Sequence, residues 1–449
     1  MTETPLFEHI SPRLTRFVTP DGVHRVAKLA KEDRTRALLS LSHHIDLALL
    51  REAYVRTRKD GARGVNDPGS VEYAKNLEGN LQSLLDRAKS GTYRAPPVRR
   101  VHIPKGDGTT RPLGIPTFED KVLQRAVAMV LEAVYEQDFM DCSYGFRPGR
   151  SARDAVRVLR NGLMEMGGGW VVEVDIKKFF DTLDHAHLRE IMSKRIRDGV
   201  ILRLIGKWLN AGVMEDGAIS HPDSGTPQGG VISPLLANVY LHEVLDTWFE
   251  QVVVPHLEGR AFLIRYADDL VIAFSKERDA RRVMDVLPKR FGKYGLELHP
   301  DKTGLVRFER PRPGSEGGDR DGDGRPGTFD FLGFTHHWTK AKSGHVVIKQ
   351  RTARDRFRRT LRRISEWCRR HRHEPLADQA KALASKVRGH FAYFGCIGNY
   401  ARLSALRHEV GRIWWMWLRR RSQRLLTWAR MGLILGRFEL PRPAAFIRP

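Results

Sequence analysis

The chain has 449 residues, 41% of them hydrophobic, enough to bury a large core and to divide into two or three domains. Lys and Arg total 77 against 53 Asp and Glu, a formal charge of +24. A surplus of that size draws polyanions, and Trp and Tyr interleaved among the basic residues favour nucleic acid over an anionic membrane or an acidic protein. Only Cys142, Cys368 and Cys396 are present, with no Cys-x-x-Cys pair, which argues against a disulfide framework or a zinc ribbon and suits a reducing cytosol. The opening MTETPLFEHISPRL lacks the apolar core of a signal peptide, and no segment approaches the ~18 uncharged apolar residues of a membrane span. A cytoplasmic protein with no membrane partner is expected.

Residues 1–90 predict a helical extension. LSHHIDLALLREAYVRTRK and VEYAKNLEGNLQSLLDRAKSG carry apolar residues at helical spacing on either side of the turn-rich GARGVNDPGS. Residues 91–345 differ. VRRVHIP and RPLGIP, separated by KGDGTT, predict a basic β-hairpin, followed by a helix over 119–136. The loop SYGFRPGRS leads into a helix from Ala152, with Ser151 as its N-cap. WVVEVDI reads as a buried strand and FLIRYADDLVIAF as strand–turn–strand with two carboxylates at its centre. Desolvating adjacent carboxylates without a charge partner is expensive, which marks Asp268 and Asp269 as functional.

Further along, PRPGSEGGDRDGDGRPG over 311–327 is a Pro, Gly and charge-rich loop. Within and beyond it Asp319, Asp321, Asp323, Gly324 and Asp330 follow a calcium-loop spacing, but Pro326 interrupts it and no helix enters it, so a solvated loop is the expected reading. FDFLGFTHHW and HVVIKQ predict a short strand pair. Residues 346–449 are strongly basic and helical, a separate domain in which Arg362, Arg363, Arg369 and Arg370 are candidates for RNA binding.

Phosphoryl transfer requires an activated 3′-hydroxyl, a neutralised triphosphate and in-line geometry, which two divalent ions ~4 Å apart supply when carboxylates hold them. Mg²⁺ suits a site of few protein carboxylates completed by waters and substrate phosphates. Asp175, at the end of one predicted strand, and Asp268 with Asp269, in the turn of another, would converge on one sheet.

These blocks resemble reverse transcriptases. RYADDLVIAF is similar to their Tyr-x-Asp-Asp box and VVEVDIKKFFDTLDH to their first metal-binding motif. GTPQGGVISPLLANVYLHEVL, LELHPDKT and FDFLGF match the blocks between and after. RAPPVRRVHIPKGDGTTRPLGIPTFEDKVLQRAV and SYGFRPGRSARDAV resemble the fingers blocks of bacterial group II intron-encoded reverse transcriptases in particular, and seven ordered blocks are far more specific than a lone YADD.

The resemblance implies an α+β right-handed polymerase, with fingers and palm over 91–345 and a helical thumb and maturase-like domain over 346–449. It implies an RNA-directed DNA polymerase using two Mg²⁺ ions. Asp175 and Asp268 would hold the metals, with Asp269 in support. Phe180 matches the aromatic gate that excludes a 2′-hydroxyl, neighbouring Phe179 being core. Lys105 and Arg111 match the pair that clasps the incoming triphosphate, and Gln228 would lie against the nucleotide or the template–primer. Lys302 is either a general acid for the departing pyrophosphate or a surface lysine in a turn.

RGHFAYFGCIGNYARL and ELPRPAAFIRP resemble maturase segments, where Tyr393 and Tyr400 could stack on bases while most of Trp414, Trp415 and Trp417 pack in the core. The implied partners are an RNA template and primer, a structured group II intron RNA, and a DNA product or target. Without paired cysteines, the H-N-H nuclease found on some intron proteins is not expected. Two other readings stay open: a splicing cofactor with an idle polymerase site, and a reverse transcriptase serving phage defence or a CRISPR system.

Overall fold

VVEVD and DLVIAF carry apolar residues on both of their faces, Val171, Val271 and Ala273 on one and Val172, Val174, Leu270, Ile272 and Phe274 on the other, and such strands need cover on both. The computed structural model describes residues 21–104, 110–215, 218–220, 225, 229–311, 327–341, 343–421 and 426–446, and within them the chain is an α+β protein. Its strands there are β1 (Val98–Pro104), β2 (Thr110–Ile115), β3 (Gly168–Asp175), β4 (Val213–Glu215), β5 (Ala218–Ser220), β6 (Ala261–Tyr266), β7 (Asp269–Phe274), β8 (Gly304–Glu309), β9 (Phe329–Phe331), β10 (Phe334–Lys340) and β11 (Val346–Thr352).

The central sheet runs β6-β7-β3-β8, antiparallel throughout. Val172, Val174, Leu270, Ile272 and Phe274 face one core, which includes residues of the helices Asp21–Glu32, Leu47–Arg56, Phe118–Tyr135 and Ser233–Leu241. Val171, Ile264, Val271, Ala273 and Phe308 face a second core, shared with the helix Ala152–Met166 and the C-terminal helices. The predicted basic hairpin is β1–β2, extended by β4 and β5 into a second sheet of order β2-β1-β4-β5.

Local signals explain where the helices begin. Ser151 and Asp154 form a reciprocal capping box on Ala152–Met166, and left-handed Gly167 (φ 78°) closes it. Thr117 caps Phe118–Tyr135, a helix apolar on almost every face and therefore central.

One element departs from the expected strand pair. FDFLGFTHHW folds back on itself at Leu332 (φ 50°) and Gly333 (φ 79°), making β9 and β10, so the sheet has three strands in the order β11-β10-β9. A two-residue hairpin loop of the type I′ kind has two positive φ angles; Gly333 supplies one cheaply, but Leu332 at the other conceals the turn from its sequence. β10 and β11 pair along their length, so the ladder runs across residue 345 into the basic region. Beyond it stand the helices Arg354–His371, Leu376–Phe394, Tyr400–Leu418 and Trp428–Arg437. Trp414 is buried and donates to Gln379 Oε1 at 2.9 Å, whereas Tyr393 and Tyr400 are exposed. No described helix is long and apolar enough to cross a membrane.

Asp120 lies deep in the first core, accepting from Trp208 Nε1 at 2.7 Å, Gln124 Nε2 at 3.0 Å and the Tyr93 hydroxyl. Burial pushes its carboxyl up to about 6, against those three donors. A folded pKa above the unfolded one adds stability at low pH that is lost as pH rises through about 6. The stability of Asp120→Asn relative to the parent should therefore shift in the variant's favour by about 2 kcal/mol between roughly pH 4.5 and 7.5. Urea unfolding at both pH values checks this; parallel pH profiles would remove the buried charge from the account.

Candidate active site

Asp175 ends β3 directly opposite Asp269, the first residue of β7. Facing residues of an antiparallel ladder have Cβ atoms roughly 4.5–5.5 Å apart, so two carboxylates there repel. Asp268 sits beside them, in the turn between Tyr266 and Asp269, preceded by Ala267 in the left-handed region (φ 57°). Strand alternation places Asp175 and Asp269 on the same sheet face as Val171 and Val271, the face covered by the C-terminal helices.

LELHPDKT is stitched alongside. Ile176 bridges Leu298, the His299 amide donates to Asp175 O at 2.8 Å, and Lys302 Nζ lies 3.0 Å from Asp175 Oδ2. Lys302 is thus drawn to the site rather than pointing away from it.

The electrostatics record the crowding. Burial raises the Asp268 carboxyl above the usual range and Asp175 adds to the rise, while Arg111 and Arg265 oppose it. Burial, then Asp268 and Asp175, push Asp269 up to about 6, against Arg356 and Arg111. The Asp269 residue itself stays exposed at the end of its strand.

Arg111 on β2 lies near enough to the Asp268 and Asp269 carboxylates for its charge to lower the pKa of both. Arg356, in the first turn of Arg354–His371, joins them unannounced; in the sequence it is one arginine among many in a basic run. Past Asp175 the chain turns through Lys178 (φ 48°) into the short helix Phe179–Thr182. Phe179 is buried, and half-buried Phe180 meets it edge-on with centroids 5.4 Å apart. Gly225 (φ 90°) approaches so closely that a Cβ there would lie 2.8 Å from Phe180 O.

Lys105, Gln228, Asp319, Asp321, Asp323 and Gly324 lie outside the described residues. Asp330 is in β9, where its carboxylate accepts from Thr335 Oγ1 at 2.5 Å. Arg362, Arg363, Arg369 and Arg370 are exposed further along the helix that begins at Arg354, ~9–21 Å beyond Arg356 by helical rise, and Arg370 is paired with Glu366.

Residues 103–336 match the family model described as reverse transcriptase (RNA-dependent DNA polymerase). The chain belongs to the reverse transcriptase family. Residues 356–432 of this reverse transcriptase match the group II intron, maturase-specific domain, making it a group II intron-type reverse transcriptase and maturase. It is 42% identical over 201 residues to protein YkfC of Escherichia coli (strain K12), covering 44% of this chain and 52% of that protein. It is 46% identical over 169 residues to the group II intron-encoded protein LtrA of Lactococcus lactis subsp. cremoris, covering 37% and 28%. To nuclear intron maturase 4, mitochondrial, of Arabidopsis thaliana it is 26% identical over 209 residues, covering 46% and 25%. The chain thus matches about half of one relative's length and about a quarter of the other two.

Among the described residues of this reverse transcriptase, no three His, Cys, Asp or Glu side chains close into a metal shell. An open pair of hard oxygen donors is what a Mg²⁺ site completed by water and substrate phosphate needs. The Lys302 ammonium on Asp175 already marks one carboxylate as a cation's seat. The donor set fits a divalent metal.

Proposed function

We propose that this protein is an RNA-directed DNA polymerase that also binds structured group II intron RNA, in the cytoplasm, to aid splicing and retrohoming. The observation that carries the reading is the placement of Asp175 opposite Asp269, with Asp268 in the adjoining turn and Lys302 paired with Asp175. We read residues 1–90 as an N-terminal extension, 91–345 as fingers and palm, and 346–449 as a helical thumb and maturase-like domain. The maturase-family match supports the RNA partner.

Asp175 and Asp268 would hold two Mg²⁺ ions, which when bound activate the primer 3′-hydroxyl and neutralise charge on the departing pyrophosphate. Asp269 supports that pair. Arg111, with Lys105, clasps the triphosphate of the incoming nucleotide; an Arg fork suits bidentate phosphate contact. Gln228 lies against the nucleotide or template–primer, and the Phe180 ring excludes a 2′-hydroxyl. Lys302 passes its proton to the pyrophosphate. Its pair with Asp175 is half exposed and worth ~0–1 kcal/mol, so releasing the ammonium for that role costs little.

Asp268→Asn should abolish extension of a primed RNA template in Mg²⁺ while leaving RNA affinity nearly unchanged, because the phosphate-binding surface is untouched. Robust extension by the variant sinks the metal site. No extension by the parent, with intact RNA binding, would mark an idle polymerase.

Phe180→Ala should admit ribonucleotides, since the barrier is steric. Single-nucleotide incorporation of deoxy and ribo forms measures this, and an unchanged preference returns Phe180 to a packing role.

Charge reversal at Arg362, Arg363, Arg369 and Arg370 should weaken binding to a long folded RNA and flatten the dependence of log K on log salt, each phosphate contact contributing a slope of about 0.7–0.9. Extension of a short saturating primer–template should persist at reduced efficiency. An unchanged affinity and slope would show that this face is merely solvated.

A further inference from the structure

Unfavourable features converge behind the Ala267–Asp268 turn, on the sheet face opposite the carboxylates. Arg265 and Asp246 are both fully buried, with Arg265 Nε 2.8 Å from Asp246 Oδ1 and Nη2 2.5 Å from Oδ2. Burying an ion pair costs several kcal/mol per ion before their attraction offsets it, and apolar replacements are often no worse, so stability alone does not call for it. Asp246 is carried by a π-helical stretch, His242–Thr247, a rare geometry frequently associated with functional sites. Ala267 is left-handed without being glycine.

All of these meet at one peptide. Arg265 Nη1 donates to Asn238 Oδ1 at 2.8 Å and to the Ala267 carbonyl at 3.1 Å. Asn238 Nδ2 in turn donates to Gly145 O at 2.7 Å, and Gly145 lies so close that a Cβ would come within 2.3 Å of the Ala267 amide nitrogen. The Ala267 carbonyl belongs to the planar peptide that leads into Asp268, so clamping it sets the direction in which the Asp268 side chain leaves the backbone.

We propose that Arg265, fixed by Asp246 and Asn238, is a positioning residue that holds Asp268 toward Asp175 against their mutual repulsion, so that the cation seat exists before the cation arrives. This rests on the polymerase reading above. A carboxylate free to relax away from its neighbours would have to be drawn back at each binding event; the clamp places that cost in folding. Residues that orient metal ligands from behind typically govern affinity by 10–100-fold.

The test is a Mn²⁺ titration, followed by its paramagnetic resonance signal, into the full chain bound to a primed RNA template, together with the Mg²⁺ concentration giving half-maximal extension. Asn238→Ala removes an acceptor from Arg265 while the ion pair remains, and Gly145→Ala presses on the turn without removing any polar group. Both should weaken Mn²⁺ binding at the site lost in Asp268→Asn, and raise the half-maximal Mg²⁺, by about tenfold or more. RNA affinity should hold. Arg265→Lys, which keeps the charge but not the fork, should do the same; if it does not fold, the two neutral variants decide. Variants that melt at lower temperature yet bind Mn²⁺ as the parent does would show that the network is only a structural tie, overturning the inference alone. A parent with no Mn²⁺ site sensitive to Asp268→Asn overturns both the polymerase reading and the inference.

Discussion

Like charges facing each other across a β ladder push the strands apart, and this molecule places that repulsion at the mouth of its central sheet. Asp175 and Asp269 are directly paired and Asp268 is adjacent, so the ladder must be held together by everything behind it. It is: β3 and β7 bury Val172, Val174, Leu270, Ile272 and Phe274 on one face and Val171, Val271 and Ala273 on the other. Each fully buried aliphatic side chain contributes roughly 1.5–3 kcal/mol, far more than partly solvated carboxylates take back. The sheet can therefore carry an electrostatic liability at its end, and a cation would turn that liability into binding energy.

The parts of this arrangement visible in the sequence are those with a period or a chemical anomaly. WVVEVDI and FLIRYADDLVIAF read as strands because β-branched residues cluster there, and the paired Asp stood out because such strands rarely hold charge. The Ser151 N-cap and the basic hairpin were legible for the same reason, since each has a local signature, while the reciprocal bond from Asp154 came with the structure. The β9–β10 turn was hidden by Leu332 in a conformation usually left to Gly or Asn. Arg265 was in view, within the best-marked motif of the chain, but its partners Asp246 and Asn238 come from a helix whose π-helical turn no periodicity announces. Burial of both members of an ion pair is decided by three-dimensional packing, and composition does not carry it.

Arg356 shows the same limit from the other side. In the sequence it is indistinguishable from the arginines that follow it. In the fold it stands at the start of its helix, within electrostatic reach of Asp269, while Arg362, Arg363, Arg369 and Arg370 lie one turn or more beyond. One basic helix therefore presents an end near the paired carboxylates and a solvent-facing stretch.

That geometry also bears on whether the C-terminal region is an appendage. The Tyr393 hydroxyl donates to Leu332 O at 3.0 Å, and its ring stacks on Phe334 with centroids 5.9 Å apart. Gly333 admits the Arg356 Cγ and the Phe394 ring, which a Cβ would meet at 3.3 and 3.5 Å. Phe331, Phe334, Phe391 and Phe394 are buried in one core. The helices from Arg354 onward thus hold the left-handed β9–β10 turn in place, and the same helices bring Arg356 to the carboxylates. Removing them would uncover the aromatic core under β9 and β10 and take a positive charge from the site in the same step. The match to the reverse transcriptase model ends at residue 336, but the packing around its carboxylate-bearing sheet does not. In this chain the region that matches the maturase model packs against the β9–β10 turn, so under the polymerase reading RNA held along its basic helix would lie on a surface continuous with the carboxylates.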